Sequence, residues 1–130
     1  MGQIPILQVG PVLLVSVQVE LHDRVAEELQ DDILARLRDS GSQAVLIDIT
    51  ALETVDSFIG RVLSQTARMA GVMGARVVLV GLQPEVTMAL LELGLDLPGI
   101  EFGGDIDAGI SLLGYELVER QAKAVGERAG

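Results

Sequence analysis

Cysteine is absent from this chain, and histidine occurs once, at His22. Without thiols there is no disulfide framework and no thiolate metal site, and a single imidazole builds no histidine metal cluster. Aromatic residues make up only 2% of the sequence and the formal charge is -10. Bases would find almost nothing to stack on and phosphates would be repelled, so nucleic acid is excluded as a partner. Long hydrophobic runs are missing as well. Stretches such as Val77 to Leu82 fall far below the roughly 20 residues that span a bilayer, so no membrane crossing is expected. The opening MGQIPILQVG has neither a basic leading segment nor a small-residue cleavage site, and the expectation is a cytoplasmic protein.

What is present is enough apolar material for one core: 130 residues, 49% of them hydrophobic, with a mean hydropathy of +0.46. Ile4 to Val9 and Val12 to Val17 are β-rich runs separated by Gly10-Pro11, which predicts an opening antiparallel hairpin. Val25, Leu29, Ile33 and Leu37 recur every four residues, broadened by Ala26 and Leu34, and predict a helix of about four turns that stops at Ser40-Gly41. Ala44 to Ile49, interrupted only by Asp48, and Arg76 to Leu82 read as strands covered on both faces. Between them Ile59, Val62, Leu63, Thr66, Ala70 and Met73 form one stripe of a helix that begins near Ser57 and ends around Gly71 and Gly74.

Pro84 suits the first turn of a further helix, with Met88, Leu91 and Leu95 expected on its apolar side and Gly94 to Gly99 ending it. A short strand at Ile100 to Phe102 and one or two closing helices over Ile106 to Val125 complete the pattern. The order β-β-α-β-α-β-α-β-α predicts a single α/β domain with a mixed, mostly parallel central sheet of four to five strands, an N-terminal hairpin and flanking helices. The terminal GERAG is expected to fray.

Charge is unevenly spread. Eight acidic residues and no basic one lie between Val77 and Glu119, whereas Ser57 to Arg76 holds three arginines and no acid. That basic helix is either a solvated face or a docking patch. The segment Thr50 to Phe58 leaves the carboxyl end of a central strand and enters this helix, where open α/β sheets present functional groups. Ser57 stands at the expected N-cap, its hydroxyl placed to accept from backbone N–H groups one turn on.

The strand Val45-Leu46-Ile47-Asp48-Ile49-Thr50 followed by Val55-Asp56-Ser57 resembles the STAS domains of anti-sigma factor antagonists, a family in which the serine after the aspartate is phosphorylated. Asp56-Ser57-Phe58-Ile59, Met73-Gly74-Ala75-Arg76-Val77-Val78-Leu79, Gly81-Leu82-Gln83-Pro84-Glu85-Val86 and Leu91-Glu92-Leu93-Gly94 extend the resemblance to RsbS-type stressosome proteins, over nearly the whole chain. The common antagonist pattern has a second small residue and a glycine after the serine. Here Phe58, Ile59, Gly60 and Arg61 follow, which separates the chain from stand-alone antagonists of the sporulation type.

The resemblance implies a STAS domain over residues 1–118 with the end of a C-terminal helix and a tail over 119–130. It implies phosphorylation at Ser57, no enzymatic activity and no cofactor. The implied partners are an RsbT-type serine kinase held until phosphorylation, RsbR-type paralogues in a homo-oligomer or larger mixed assembly, and a phosphatase that resets Ser57. Asp56, Phe58, Arg61 and Met69 are the candidate docking residues. Arg61 lies one turn from Ser57, while Phe58 and Met69 flank the apolar stripe and either edge the domain's own core or meet a partner.

Other chemistries fit less well. A Ser57 hydrolase needs a base, only His22 is available, and the strained G-x-S-x-G turn is absent. Gly71-Val72-Met73-Gly74 and Gly103-Gly104 lack the lysine and spacing of a P-loop, and Asp105 and Asp107 begin a calcium-loop pattern that no further ligands complete. The remaining rival is a small-ligand or nucleotide-binding α/β protein using the crevice of the sheet.

Overall fold

The computed structural model describes residues 4–92, 97 and 99–115 of the chain. Five strands form one sheet in the order β1-β2-β3-β4-β5: β1 (Ile6–Val9), β2 (Val12–Ser16), β3 (Ala44–Asp48), β4 (Arg76–Val80) and β5 (Ile100–Gly103). The first pair is antiparallel, closed at Val9 opposite Val12. Gly10, at a φ of 59°, supplies the left-handed residue that such a two-residue turn requires. The other three pairs are parallel, each joined by the kind of helical crossover that parallel pairing needs.

Among the described residues four helices, α1 (Asp23–Ser40), α2 (Ser57–Val72), α3 (Pro84–Glu92) and α4 (Ile106–Leu112), pack on the two faces of the sheet. The apolar side chains of α1, α2 and α3 join Leu13, Val15, Val45, Ile47, Val77 and Leu79 in the larger core. The alternate strand residues Val12, Leu46, Val78 and Val80 face the other way, against Ile110 and Leu113 at α4. This two-sided burial explains why β3 and β4 read as continuous apolar runs. The α1 stripe buries Ala26, Leu29, Ile33 and Leu37, and the helix ends at Gly41 with φ 68°, a left-handed cap.

Two expected stripes need correction. On α3 the buried residues are Val86 and Leu90, whereas Met88 and Leu91 are 57% and 65% exposed. Nearly every position from Val86 to Leu91 is apolar, so periodicity alone left the phase open, and packing against the larger core selects Val86 and Leu90. Met73 is exposed because α2 has ended at Val72 and Met73 serves as its C-cap. Leu95, the boundary at residues 118 and 119, and the closing segment beyond Tyr115 lie outside the described residues.

At the amino end of β4, Arg76 bonds both carboxylate oxygens of Glu101 on β5, at 2.8 and 2.6 Å. This hydrogen bonding, opposed by some desolvation, holds the Glu101 carboxyl below the usual range. The pair is largely solvated and serves register more than stability.

The tightest contact in the second layer is at Gly109. A Cβ there would meet Leu46 Cδ1 at 2.7 Å and Val80 Cγ1 at 2.8 Å, so only glycine lets α4 lie this close to the sheet. Gly109→Ala is expected to destabilise the fold by about 1–3 kcal/mol through overpacking, measured by urea unfolding; an unchanged midpoint would show that α4 is not held against β3 and β4.

Candidate functional site

The loop from Ile49 to Asp56 connects β3 to α2 and is held from several sides. Asp48 Oδ1 accepts from the Thr50 backbone N–H at 2.9 Å and from the Thr50 hydroxyl at 2.6 Å, an Asx arrangement that turns the chain as it leaves the strand. The side-chain amide of Gln83 donates to the Thr50 carbonyl at 2.6 Å. Ile49 donates to the Val80 carbonyl and Leu52 to the Ile49 carbonyl. Ile49, Leu52 and Val55 all sink into the larger core, one residue in three, leaving Thr50, Glu53, Thr54 and Asp56 at the surface.

Gly81 closes the exit from β4 directly over this turn. Its φ is +80°, and a Cβ would collide with the Thr50 hydroxyl oxygen and lie 3.1 Å from Asp48 Oδ1. The backbones after β3 and β4 therefore touch where any side chain would part them. Asp48, Thr50, Gly81 and Gln83 brace the site without having stood out as functional residues in the sequence. Glycine two residues before glutamine and proline at the end of an apolar strand was the available signal, but nothing tied it to Thr50.

At the start of α2 the capping residue is Asp56, one position earlier than expected. Its Oδ1 accepts from the Ile59 N–H at 2.8 Å, and its carbonyl accepts from Gly60 at 2.9 Å. Ser57 is the first helical residue, half-buried. The reason is physical: a carboxylate is at least as good an N-cap acceptor as a hydroxyl and also complements the positive end of the helix dipole. Among the described residues the Ser57 hydroxyl makes no hydrogen bond.

The other expected site residues lie along the same helix. Arg61 is exposed one turn on from Ser57, and Phe58 is half-buried against the larger core. Met69 is exposed, but it stands three turns along and is not brought to the Ser57 end. Arg61 and Arg68 line a groove of about 460 Å³ between α1 and α2, together with Glu27, Gln30, Phe58 and Gln65. Neither arginine forms an ion pair among the described residues. Gln30 bridges the two helices, its amide 3.0 Å from the Thr66 hydroxyl. Among the described residues, then, the helix presents a serine hydroxyl without a partner at its positive end and two cations without an ion pair along its exposed side.

The sequence profile of the STAS domain matches residues 3–108. The chain belongs to the STAS domain family. Its fold matches a serine-to-glutamate variant of RsbS from Moorella thermoacetica with a TM-score of 0.74 and 33% identity, over 86% of this chain and 95% of that one. It also matches a chain from the molecular architecture of the stressosome, a signal integration and transduction hub, with a TM-score of 0.67 and 32% identity, over 85% of this chain and 96% of that one. The RsbT co-antagonist protein RsbRA of Bacillus subtilis (strain 168) is 28% identical over 115 residues, covering 88% of this chain. This chain spans 40% of the length of that relative. Within the STAS family its likeness lies with RsbS-type stressosome proteins of the anti-sigma factor antagonist fold.

His22 is exposed and occupies the N-cap position of α1 without a side-chain capping bond. Asp105 caps α4 by accepting from Ala108 at 2.8 Å. Among the described residues no group of acidic or histidine side chains could hold a metal ion, and no helix is long and apolar enough to cross a membrane.

The cap assignment yields a paired test by denaturant unfolding with circular dichroism. Asp56→Ala should cost about 0.5–2 kcal/mol by stranding the Ile59 N–H, whereas Ser57→Ala, which removes no bond, should stay within about 0.5 kcal/mol of wild type. The reverse order of the two losses would return the cap to Ser57.

Proposed function

We propose that this chain is a non-enzymatic regulatory scaffold of the general stress response, an RsbS-like anti-sigma factor antagonist. It holds an RsbT-type serine kinase and releases it once Ser57 is phosphorylated. The observation that carries the reading is the uncommitted Ser57 hydroxyl at the first position of a firmly capped helix. A modification there costs no existing hydrogen bond, and the braced loop keeps the acceptor where a kinase can reach it.

A phosphate would add about -1.5 to -2 charges beside the free N–H groups of the first turn, where an anion is favoured. Arg61 is a helical neighbour of opposite sign at i+4, while the Asp56 carboxylate opposes the new charge from the preceding residue. The fold tolerates the group, and the surface around Asp56, Ser57, Phe58 and Arg61 changes from a hydroxyl-bearing patch of no net charge to an anionic one. A kinase packed on that patch then meets a buried like charge or loses its contact with Arg61. Met69 extends the same helix face away from the switch.

The remaining parts of the proposal follow the likeness to RsbS and stressosome proteins: RsbR-type STAS paralogues as assembly partners, a homo-oligomer or larger mixed assembly, a phosphatase that resets Ser57, and a cytoplasmic location. A small-ligand or nucleotide-binding role is less favoured. Ligands of open α/β sheets settle where the strand order reverses, and this sheet runs from β1 to β5 without a reversal.

The test is kinase affinity measured for wild type, Ser57→Ala, Ser57→Asp and the phosphorylated chain, each checked by circular dichroism. An RsbT-type kinase with ATP should add one phosphate, and Ser57→Ala should abolish it. Phosphorylation should weaken binding by about 100-fold, equivalent to roughly 2.7 kcal/mol, with Ser57→Asp intermediate because a carboxylate imitates only part of the charge. Equal binding of all four forms, or phosphate on Thr50, Thr54 or Ser64, would refute the switch. A shift in melting temperature with nucleotide alone would favour the rival.

A further inference from the structure

The two edges of the sheet are unlike each other. β5 carries Glu101, locked to Arg76, and charge on an edge strand discourages pairing with another chain. β1 has no such guard: Ile6-Leu7-Gln8-Val9 holds no ionisable side chain, and none occurs before Glu20. Leu7 and Val9 are 61% and 44% exposed on the face that α4 covers only further along the sheet. They continue the row of Leu14 and Val12, their partners on β2.

Backbone parity shows what this edge offers. Val9 and Val12 close a two-residue turn, so they form a hydrogen-bonded pair, and Leu7 with Leu14 is the next. The N–H and C=O groups of Ile6 and Gln8 therefore point away from β2, toward the open edge. A strand that pairs antiparallel with its own copy does so about a two-fold axis perpendicular to the sheet, which keeps like faces on the same side. Centred on Gln8, this register sets Leu7 beside the partner's Val9 on one face, with Gln8 and the partner's Gln8 exchanging their outward bonds.

Charge selects the same occupant. Two copies of a chain with a formal charge of -10 repel each other, and they approach with least cost through a surface that carries no charge. On the other face of the sheet, Asp32, Ala35 and Arg36 of α1 line a groove with Ile6 beside this edge. Acid and base stand one turn apart there, so a two-fold axis brings Asp32 toward the partner's Arg36 and Arg36 toward the partner's Asp32.

We propose that the β1 edge is a two-fold self-association surface, on which a second copy of this chain continues the sheet by antiparallel pairing centred on Gln8. The inference names the surface for the self-association contained in the proposed function. It adds two apolar contacts on one face and two ion pairs on the other to the backbone bonds, a combination that only an isologous partner supplies in full.

Because the chain has no cysteine, Gln8→Cys introduces a single thiol. Paired residues of the hydrogen-bonded kind have Cα atoms about 5.5 Å apart, within disulfide range. Mild oxidation should convert Gln8→Cys to a covalent dimer with native circular dichroism, whereas Met88→Cys, on another exposed apolar surface, should remain uncrosslinked. Sedimentation equilibrium should show a wild-type dimer and a dissociation constant raised at least about 100-fold in Leu7→Lys, which sets a lysine against the apolar row of each partner. A monomeric wild type, a wild-type dissociation constant for folded Leu7→Lys, or cross-linking at Met88→Cys but not at Gln8→Cys would overturn the proposal. The Ser57 surface is untouched by these changes, so loss of the dimer and loss of the kinase switch are separately visible.

Discussion

The carboxylate of Asp48, the hydroxyl of Thr50 and the bare backbone of Gly81 meet at the carboxyl ends of β3 and β4, and the placement of Ser57 depends on that meeting. Asp48 turns the chain out of the sheet by two bonds to Thr50. Gly81 allows the neighbouring strand's exit to close over the turn, and Gln83 ties the Thr50 carbonyl to the approach of α3. With that end fixed, Ile49, Leu52 and Val55 carry the loop back into the core, and Asp56 caps α2. The loop is surface by sequence but anchored by packing, which holds the start of α2 in a fixed place at the surface.

The division of labour between Asp56 and Ser57 matters for a switch. Had the serine been the cap, phosphorylation would have disturbed the helix start, coupling the signal to stability. With the aspartate in that role the hydroxyl is spare, and the new charge acts on whatever binds the surface. Arg61 and Arg68, with no ion pair among the described residues, stand on the same helix in a chain of net negative charge, so the formal charge of α2 is opposite in sign to that of the protein as a whole.

Much of this was legible in the residues. Gly10-Pro11 between two β-branched runs marked the hairpin, the four-residue spacing from Val25 to Leu37 marked α1, and the unbroken apolar runs of β3 and β4 marked strands buried on both faces. The place of the candidate site was legible because the central strand before Val55-Asp56-Ser57 and the amphipathic helix after it could both be read from their apolar patterns. What escaped was decided by contacts between distant segments: the face of α3, where both candidate rows are apolar, and the bracing of Thr50 from Gly81 and Gln83, 31 and 33 residues away. The cap was misplaced by one residue because aspartate and serine, adjacent here, are both strong cap formers.

The central claim is that phosphate at Ser57 alters a surface and leaves the fold alone. Amide chemical shifts of the unphosphorylated and phosphorylated chains test it most directly. The account predicts changes confined to the segment from Thr54 to Arg61 and its immediate neighbours, with the amides of β2, β3 and β4 unmoved. Shifts spread through the central strands, or loss of the Ile59 amide's protection by Asp56, would contradict it.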